Sequence, residues 1–518
     1  MTSFYEELHK SEKFSDEAEN IQSRATIDKW IFRLLLLLIG FMPLIVMANV
    51  EEVISPLVSN VELLSTGVKG DLFTHYKALV VLIITIVTGV MLLVKVFFMD
   101  GKIHKTYLNY FLGLFVVAIV ISTIASPNIS VALNGQYNRS DGAISWLCYV
   151  LLMFIAMNIE YPKKAVSYIM YSMVPFVLIN LYIITMNFYG ADLLINKSEL
   201  QKFISLFLPE GANISEESQL VGTLNQWNYM SGMFAIMTIM YLTWAVTVKK
   251  WHETIIGAIM ASVAITIMFM SVSTSGFLTV LLLLFIILIS VLLTEKKGQA
   301  IAALAIFLVI AAPMFHVLAE KNIRVWNESF GFIIEKNPYL DEAAELIKTT
   351  NVTYASGNAF ELPVLPERTL AAGSGRVYIW DKTLELIKER TILGYGNDSL
   401  LYNFPHYNID SRAGGWDENT ITDKPHNAFI GVLYGSGIIG LLSLIVLLIT
   451  MGIKTYKSLL NRSWTIFILA ITALAYFAQA MFNDSLPAIS AFAFIIMGML
   501  IALEQHKNKE NISNGRND

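Results

Sequence analysis

Two residues of this sequence have types and positions that suit them to chemistry, and both lie late in the chain. His426 opens HNAFIGVLYGSGIIG (426–440), where a long polar stretch hands over to an apolar run. Histidine is the side chain most readily poised as a proton acceptor near neutral pH, and partial desolvation favours its neutral form. At the mouth of a membrane helix it can receive a hydroxyl arriving from water, or it can simply satisfy backbone groups at the helix start. Asn427 either orients it or caps the helix. Arg376 heads a basic amphipathic segment, SGRVYIWDKTLELIKERTILGYG (374–396). An arginine beside free helix N–H groups makes a bidentate fork suited to phosphate or diphosphate; the plain alternative is a solvated loop arginine. Arg139, beside Asp141, has the same two readings. Arg368, Arg390 and Arg412 are weaker candidates, each with an acidic neighbour to pair with. Asn225 and Asn228 suit sugar hydroxyls or helix capping. Gly437 and Gly440, three residues apart, fit close helix packing.

These residues need a scaffold, and composition says which kind. Of 518 residues, 55% are hydrophobic and only 15% charged. A water-soluble chain so composed exposes too much apolar surface. Continuous apolar runs of about 20 residues mark membrane helices and exclude the alternating pattern of a barrel. Twelve candidate spans emerge: 30–49, 77–98, 107–125, 144–160, 166–187, 227–248, 254–273, 277–294, 299–317, 427–451, 464–482 and 486–503. The expected class is an all-α polytopic membrane protein. Residues 1–29 form an N-terminal tail, 30–317 hold nine spans, 318–425 form one large loop subdomain, 426–503 hold three spans and 504–518 form a tail. No small-residue cleavage site follows the first run, which reads as a retained span.

Basic residues cluster in alternate short loops: Lys102 and Lys105; Lys163 and Lys164; Lys249 and Lys250; Lys296 and Lys297; then Lys454, Lys457 and Arg462. By the positive-inside rule both termini are cytoplasmic and the 318–425 loop faces outward. Arg33 and Lys95 lie near span ends, where long cations snorkel. Within the large loop, Val377, Trp380, Leu384 and Ile387 recur at helical spacing, so 376–391 is expected to be a helix. Ser374 would cap it, and Gly394 with Gly396 would stop it. The one cysteine, Cys148, excludes an intramolecular disulfide and reads as a small buried hydrophobe. No paired-histidine metal motif, nucleophile elbow or phosphate-binding loop is present, and His316, His406 and His426 are too scattered to hold a metal.

His426-Asn427, nine residues, then Gly437-x-x-Gly440 resembles the signature of the O-antigen ligase family of polytopic glycosyltransferases. GRVYIWDKTLELIKERTILGYG is similar to that family's Arg-x-x-x-Trp helix with its Gly-x-Gly turn. LNGQYNRSDGAISWL (133–147) and GTLNQWNYMSGMF (222–234) resemble its upstream blocks, in the same order. The resemblance implies a GT-C-like helical bundle in a bacterial cytoplasmic membrane, acting on its outer face. It implies an undecaprenyl-diphosphate-linked glycan as donor, a glycan, lipid-linked or protein acceptor, and neither metal nor other cofactor. His426 takes the catalytic place and Arg376 the donor diphosphate place. Where many relatives carry Ser-Arg-Gly, this chain reads SVSTSGF (271–277), so a second diphosphate contact falls to Arg139 or another loop arginine, or is lost. The loop 188–226 has no arginine, which favours ligase-type transfer over chain polymerisation. Few charges within the spans and no repeated halves weigh against a transporter or flippase.

Overall fold

The computed structural model describes residues 2–56, 66–191, 193–194, 199–206, 222–334, 336–339, 375–406 and 421–513. Helices dominate. After α1 (Thr2–Phe41) comes an antiparallel hairpin of β1 (Asn49–Val53) and β2 (Gly67–Asp71), in which Glu51 faces Lys69. Then follow α2 (His75–Phe98), α3 (Leu108–Ile124), α4 (Ile129–Asn134), α5 (Ala143–Met157), α6 (Ala165–Phe188) and α7 (Glu199–Ile204). Next are α8 (Trp227–Thr247), α9 (Trp251–Met270), α10 (Thr274–Leu293), α11 (Lys297–Lys321) and α12 (Arg324–Asn327). The remainder is α13 (Arg376–Glu389), α14 (Leu400–Asn403), α15 (Ala428–Leu460), α16 (Trp464–Ala480) and α17 (Pro487–Ser513).

Among the described residues, eight helices are long and apolar enough to cross a membrane: α2, α6, α8, α9, α10, α11, α15 and α17. The chain is a multi-pass membrane protein. The expected spans 107–125, 144–160 and 464–482 fall on α3, α5 and α16, apolar helices of 17, 15 and 17 residues. The first expected span is cut short. Its helix ends at Phe41, Met42-Pro43-Leu44 tighten into a 3₁₀ turn, and Asn49 already starts β1. Pro43 has no N–H to continue the α-helical ladder, and Glu51 with Glu52 suits a wet hairpin.

The core sits around α8, whose residues are all buried from Tyr229 to Thr247. A helix apolar on every side has no solvent face, and Ser231, Gly232 and Ala235 let its neighbours approach. α9, α10, α11 and α16 pack around it. Cys148 is buried, as a small hydrophobe should be. Lys95 does not snorkel: its Nζ donates to both carboxylate oxygens of Asp28 (2.6 and 2.8 Å) and to the Asn158 carbonyl (3.0 Å). Asp28 on α1 is 3% exposed, and a buried carboxylate needs a cation more than an aliphatic stem needs the interface. Arg33 instead lies over the Trp30 ring, 4.8 Å from its centroid.

Candidate active site

α13 runs over Arg376–Glu389, two residues shorter than the expected helix, and starts behind Gly375, whose φ is +77°. Ser374 lies outside the described residues, as do Arg368, Arg412 and the loop stretches 340–374 and 407–420. Tyr378, Ile379 and Ile387 are buried under the helix, with Tyr395, Leu400, Phe404 and Tyr434. One turn beyond Arg376, the Trp380 indole N–H donates to the Pro425 carbonyl (2.7 Å), just before His426. The loop helix is thereby fastened to the mouth of α15.

α15 is not one straight helix. Gly437 has φ +68° and ψ −170°, and the turn around it unwinds. The freed backbone pairs with the chain leaving α13: Tyr395 N–H to Tyr434 O (2.8 Å), Gly396 N–H to Gly435 O (2.9 Å) and Ile438 N–H to Thr391 O (2.8 Å). Tyr395 and Tyr434 stack at 5.0 Å. A Cβ on Gly437 would stand 2.0 Å from the Ile392 carbonyl oxygen. The helix-packing expectation for Gly437 is therefore corrected: glycine is needed for a left-handed bend held against a loop backbone. Gly440 does fit close packing, since a Cβ there would meet Phe115 of α3 at 3.5 Å, although Ser436 Cβ is nearer at 2.6 Å.

His426 sits at φ +52°, uncommon for a residue with a side chain. It is held from both sides, by the bond to Pro425 behind it and by Asn427 ahead. Asn427 is the helix cap, its Oδ1 accepting from the N–H groups of Phe429 (3.0 Å) and Ile430 (3.1 Å). The His426 Nδ1 lies 2.9 Å from Asp484 Oδ2. Burial pushes the Asp484 carboxyl up, but the charges of His426, Lys424 and Arg139 outweigh it and hold it below the usual carboxylate range. An ionised carboxylate only accepts, so Nδ1 is the donor and the neutral ring keeps its lone pair on Nε2. That nitrogen has no protein partner among the described residues, and the side chain is 30% exposed.

Asp484 was not singled out from the sequence. It lies in the short turn between α16 and α17, 58 residues from His426. An ionisable residue flanked by two apolar runs, in FNDSLP (482–487), is the signal that marks it. Neighbouring Asn483 accepts from the Ala428 N–H (3.1 Å) and donates to Asn228 O (3.2 Å) and Gln479 Oε1 (2.6 Å). This one turn therefore ties α15, α8 and α16 together.

Arg376 reaches the same neighbourhood, with Asp484, Tyr229 and Glu328 as the negative or ionisable groups that act on it. Burial pulls its guanidinium pKa down and these groups oppose the fall. Among the described residues its guanidinium has no hydrogen-bond or ion-pair partner. Arg139 differs. It is 4% exposed, and its Nη2 donates to Asp423 Oδ2 (2.9 Å) and Nη1 to the Asn138 carbonyl (3.3 Å). Its Nε, the Tyr229 hydroxyl and Asn138 Oδ1 are buried and unpartnered. Asn225 Nδ2 donates to the Asn138 carbonyl (2.8 Å), and Asn228 Oδ1 accepts from Ser273 Oγ (2.7 Å). Both asparagines thus brace the turns around the histidine.

Beneath lies a buried charged cluster. Lys424 Nζ is 3.1 Å from Asp398 Oδ1 and 3.8 Å from Asp141 Oδ2. Asp141 accepts from Tyr149 (3.0 Å) and from Ser485. Burial pushes the Asp141 carboxyl up to about 6 against the pull of Lys424. Burial likewise raises Asp398, while Lys424 stays charged because Asp398 and Asp141 outweigh its desolvation. A cavity of about 40 Å³ between Asp141, Asp398, Lys424 and Asp484 has room for a few waters.

Residues 259–445 match a family model described as O-antigen ligase. No curated protein matches the chain. The ligase-family segment takes in Arg376, His426, Asn427, Gly437 and Gly440, and ends before Asp484. The match supports a membrane enzyme of the O-antigen ligase type, hence one that transfers glycosyl groups. The missing arginine of the ligase block leaves a hydroxyl in its region: Thr274 donates to Glu328 Oε2 (2.6 Å).

Proposed function

We propose that this protein transfers a glycan from undecaprenyl diphosphate to an acceptor hydroxyl on the outer face of the bacterial cytoplasmic membrane. The observation that supports this most is that Asp484, bonded to His426, also acts electrostatically on Arg376, whose guanidinium has no hydrogen-bond or ion-pair partner among the described residues, all but Asp484 lying inside the segment the family model matches. In this reading the acceptor oxygen attacks the anomeric carbon of the donor while its proton passes to His426 Nε2. The bond from that carbon to the diphosphate oxygen breaks, and its electron pair leaves with undecaprenyl diphosphate. Asp484 keeps the imidazole in the accepting tautomer and favours the imidazolium that forms, as carboxylates do beside catalytic histidines. Arg376 binds the diphosphate and gains interaction as charge grows on the leaving oxygen, so side chains supply the positive charge. Arg139 acts at one remove, holding Asp423 beside the Lys424–Pro425–His426 strand.

The layout that goes with this reading has twelve spans, both termini in the cytoplasm and 318–425 outside. The outer half of α1, α3, α5 and α16 complete the eight longer helices. The arginine-free 188–226 loop favours ligase-type transfer, with chain polymerisation by the same site as the second reading.

Purified protein in liposomes, given native undecaprenyl-diphosphate-linked glycan and candidate acceptors, tests this. Carrier release by wild type, with little from His426→Ala or Arg376→Ala, is the expected result. A ladder of lengthening products would make the enzyme a polymerase. Intact donor in every sample, with folded protein, would sink the transferase reading.

A further inference from the structure

The outer end of the protein has a second, larger concavity that the chemistry above does not use. It is a groove of about 700 Å³ between the β-hairpin, the Asn128–Tyr137 segment around α4, and Leu401-Tyr402 on α14. That is within the ~300–1,000 Å³ range of small-molecule sites. Six of its polar side chains are Glu51, Glu52, Ser130, Asn134, Gln136 and Tyr402. Carboxylates, amides and hydroxyls interleaved this way match alternating sugar hydroxyls and acetamido groups, and an aromatic edge offers a face to sugar C–H groups.

Gln136 joins the groove to the site described above. It is 5% exposed, and its Nε2 donates to the carbonyls of Asp398 and Asp423 (3.2 Å each). Among the described residues its Oε1 is buried without a hydrogen-bond partner. The residue also links groove and site: its N–H donates to Asp398 Oδ2 (2.7 Å), and Asp423 lies three residues before His426. Tyr402 closes the far wall by donating to the Ile54 carbonyl (3.0 Å). Lys69 and His75 stand beside Glu51, whereas no cation is placed against Glu52 among the described residues.

We propose that this groove is a glycan subsite that takes neutral or amino sugars and turns away acidic ones. Its ligand is a saccharide segment a few sugars long, belonging to the donor or to the acceptor. The inference rests on the transferase reading only for how the bound glycan is used. Glu51 and Glu52 accept from sugar hydroxyls or a protonated amine and repel uronate or phosphate groups.

Binding is measured first, with full-length protein in nanodiscs and a panel of free tetrasaccharides, neutral, amino and uronate. At least one neutral or amino-sugar tetrasaccharide should bind at least about tenfold more tightly than every uronate, and Ser130→Trp should weaken it about tenfold by filling the groove. A Glu51→Gln/Glu52→Gln variant should narrow the neutral-to-acidic gap to under about threefold. Uronates bound best, or no panel member that separates wild type from Ser130→Trp, would overturn the proposal. The transfer assay then assigns the source. A Ser130→Trp rise in KM confined to the donor makes the glycan the donor's; one confined to the acceptor makes it the acceptor's. Unchanged KM for both, with turnover intact, overturns the subsite. Saccharide binding lost in Ser130→Trp while wild type transfers nothing would preserve the groove and remove the transferase reading instead.

Discussion

The Trp380 indole N–H donates to the Pro425 carbonyl at 2.7 Å, so the helix that bears Arg376 is bonded to the residue immediately before His426. In the proposed reaction, this bond would register diphosphate binding to proton acceptance across the polar region. Trp380→Phe keeps the ring and removes the donor. It is expected to lower kcat/KM about tenfold with a smaller loss of thermal stability, since one buried carbonyl loses its partner. Initial rates at several donor concentrations, read with a melting curve in detergent, check this. An unchanged kcat/KM would mean that the bond does not set the register.

Asp484→Asn should leave the protein folded and cut kcat by about 10²–10⁴-fold, because the amide no longer enforces the donor role of Nδ1 or favours the imidazolium. Donor KM should change little. Asp484→Glu should recover part of the rate, and a variant equal to wild type would remove Asp484 from the mechanism.

The two arginines should separate by measurement. Arg376→Ala loses transfer, about 10²-fold or more in kcat/KM, and leaves the melting temperature near wild type, because no protein partner is stranded. Arg139→Ala strands Asp423 and should destabilise the fold by roughly 3–5 kcal/mol, lost activity following lost structure. Melting curves beside transfer rates decide; an Arg139→Ala protein that melts normally would return Arg139 to the donor site.

Acid and mildly acid pH should act through different carboxylates. The folded pKa of Asp141 is raised to about 6 from 3.8, so its contribution is complete below about pH 4 and is lost as pH rises through about 6. The full shift corresponds to about 3 kcal/mol. Asp484 is shifted the other way, and its contribution is lost only as pH falls below the ordinary carboxylate range. Asp141→Asn should therefore reduce the slope of the stability profile between pH 4 and 6, leaving the part due to Asp398, whose carboxyl burial also raises, and an unchanged slope in melting temperatures over pH 3–7 would remove Asp141 from the account.

Gly437→Ala forces a side chain onto a φ of +68° and sets its Cβ 2.0 Å from the Ile392 oxygen. A cost of at least about 2 kcal/mol is expected. Gly452→Ala, where a Cβ meets nothing within 4 Å, is the control. Equal melting temperatures for the two would refute the account of the bend.

What was legible in the sequence follows physical range. Spans follow from local hydropathy, and α13 from a stripe of Val377, Trp380, Leu384 and Ile387 written within one helix. His426 and Arg376 stood out because a charge or imidazole at a helix mouth is locally conspicuous. Asp484 and the Asp28–Lys95 pair did not, because each partner looks ordinary until packing brings distant segments together. The bend at Gly437 was hidden for a related reason: GSGIIG reads as helix packing unless the 391–396 strand is known to lie against it.

The pairing of 391–396 with 434–438 runs through peptide groups rather than side chains. The chain can therefore exchange the exposed side chains along both strips without losing the clasp, provided the glycines and the buried Tyr395–Tyr434 stack remain. A library randomised over these strips should therefore return variety at the exposed positions and hold Gly394, Gly396, Gly435, Gly437 and the stacked pair Tyr395 and Tyr434. The surface around the bend can thus vary from one homologue to the next while the bend itself stays fixed.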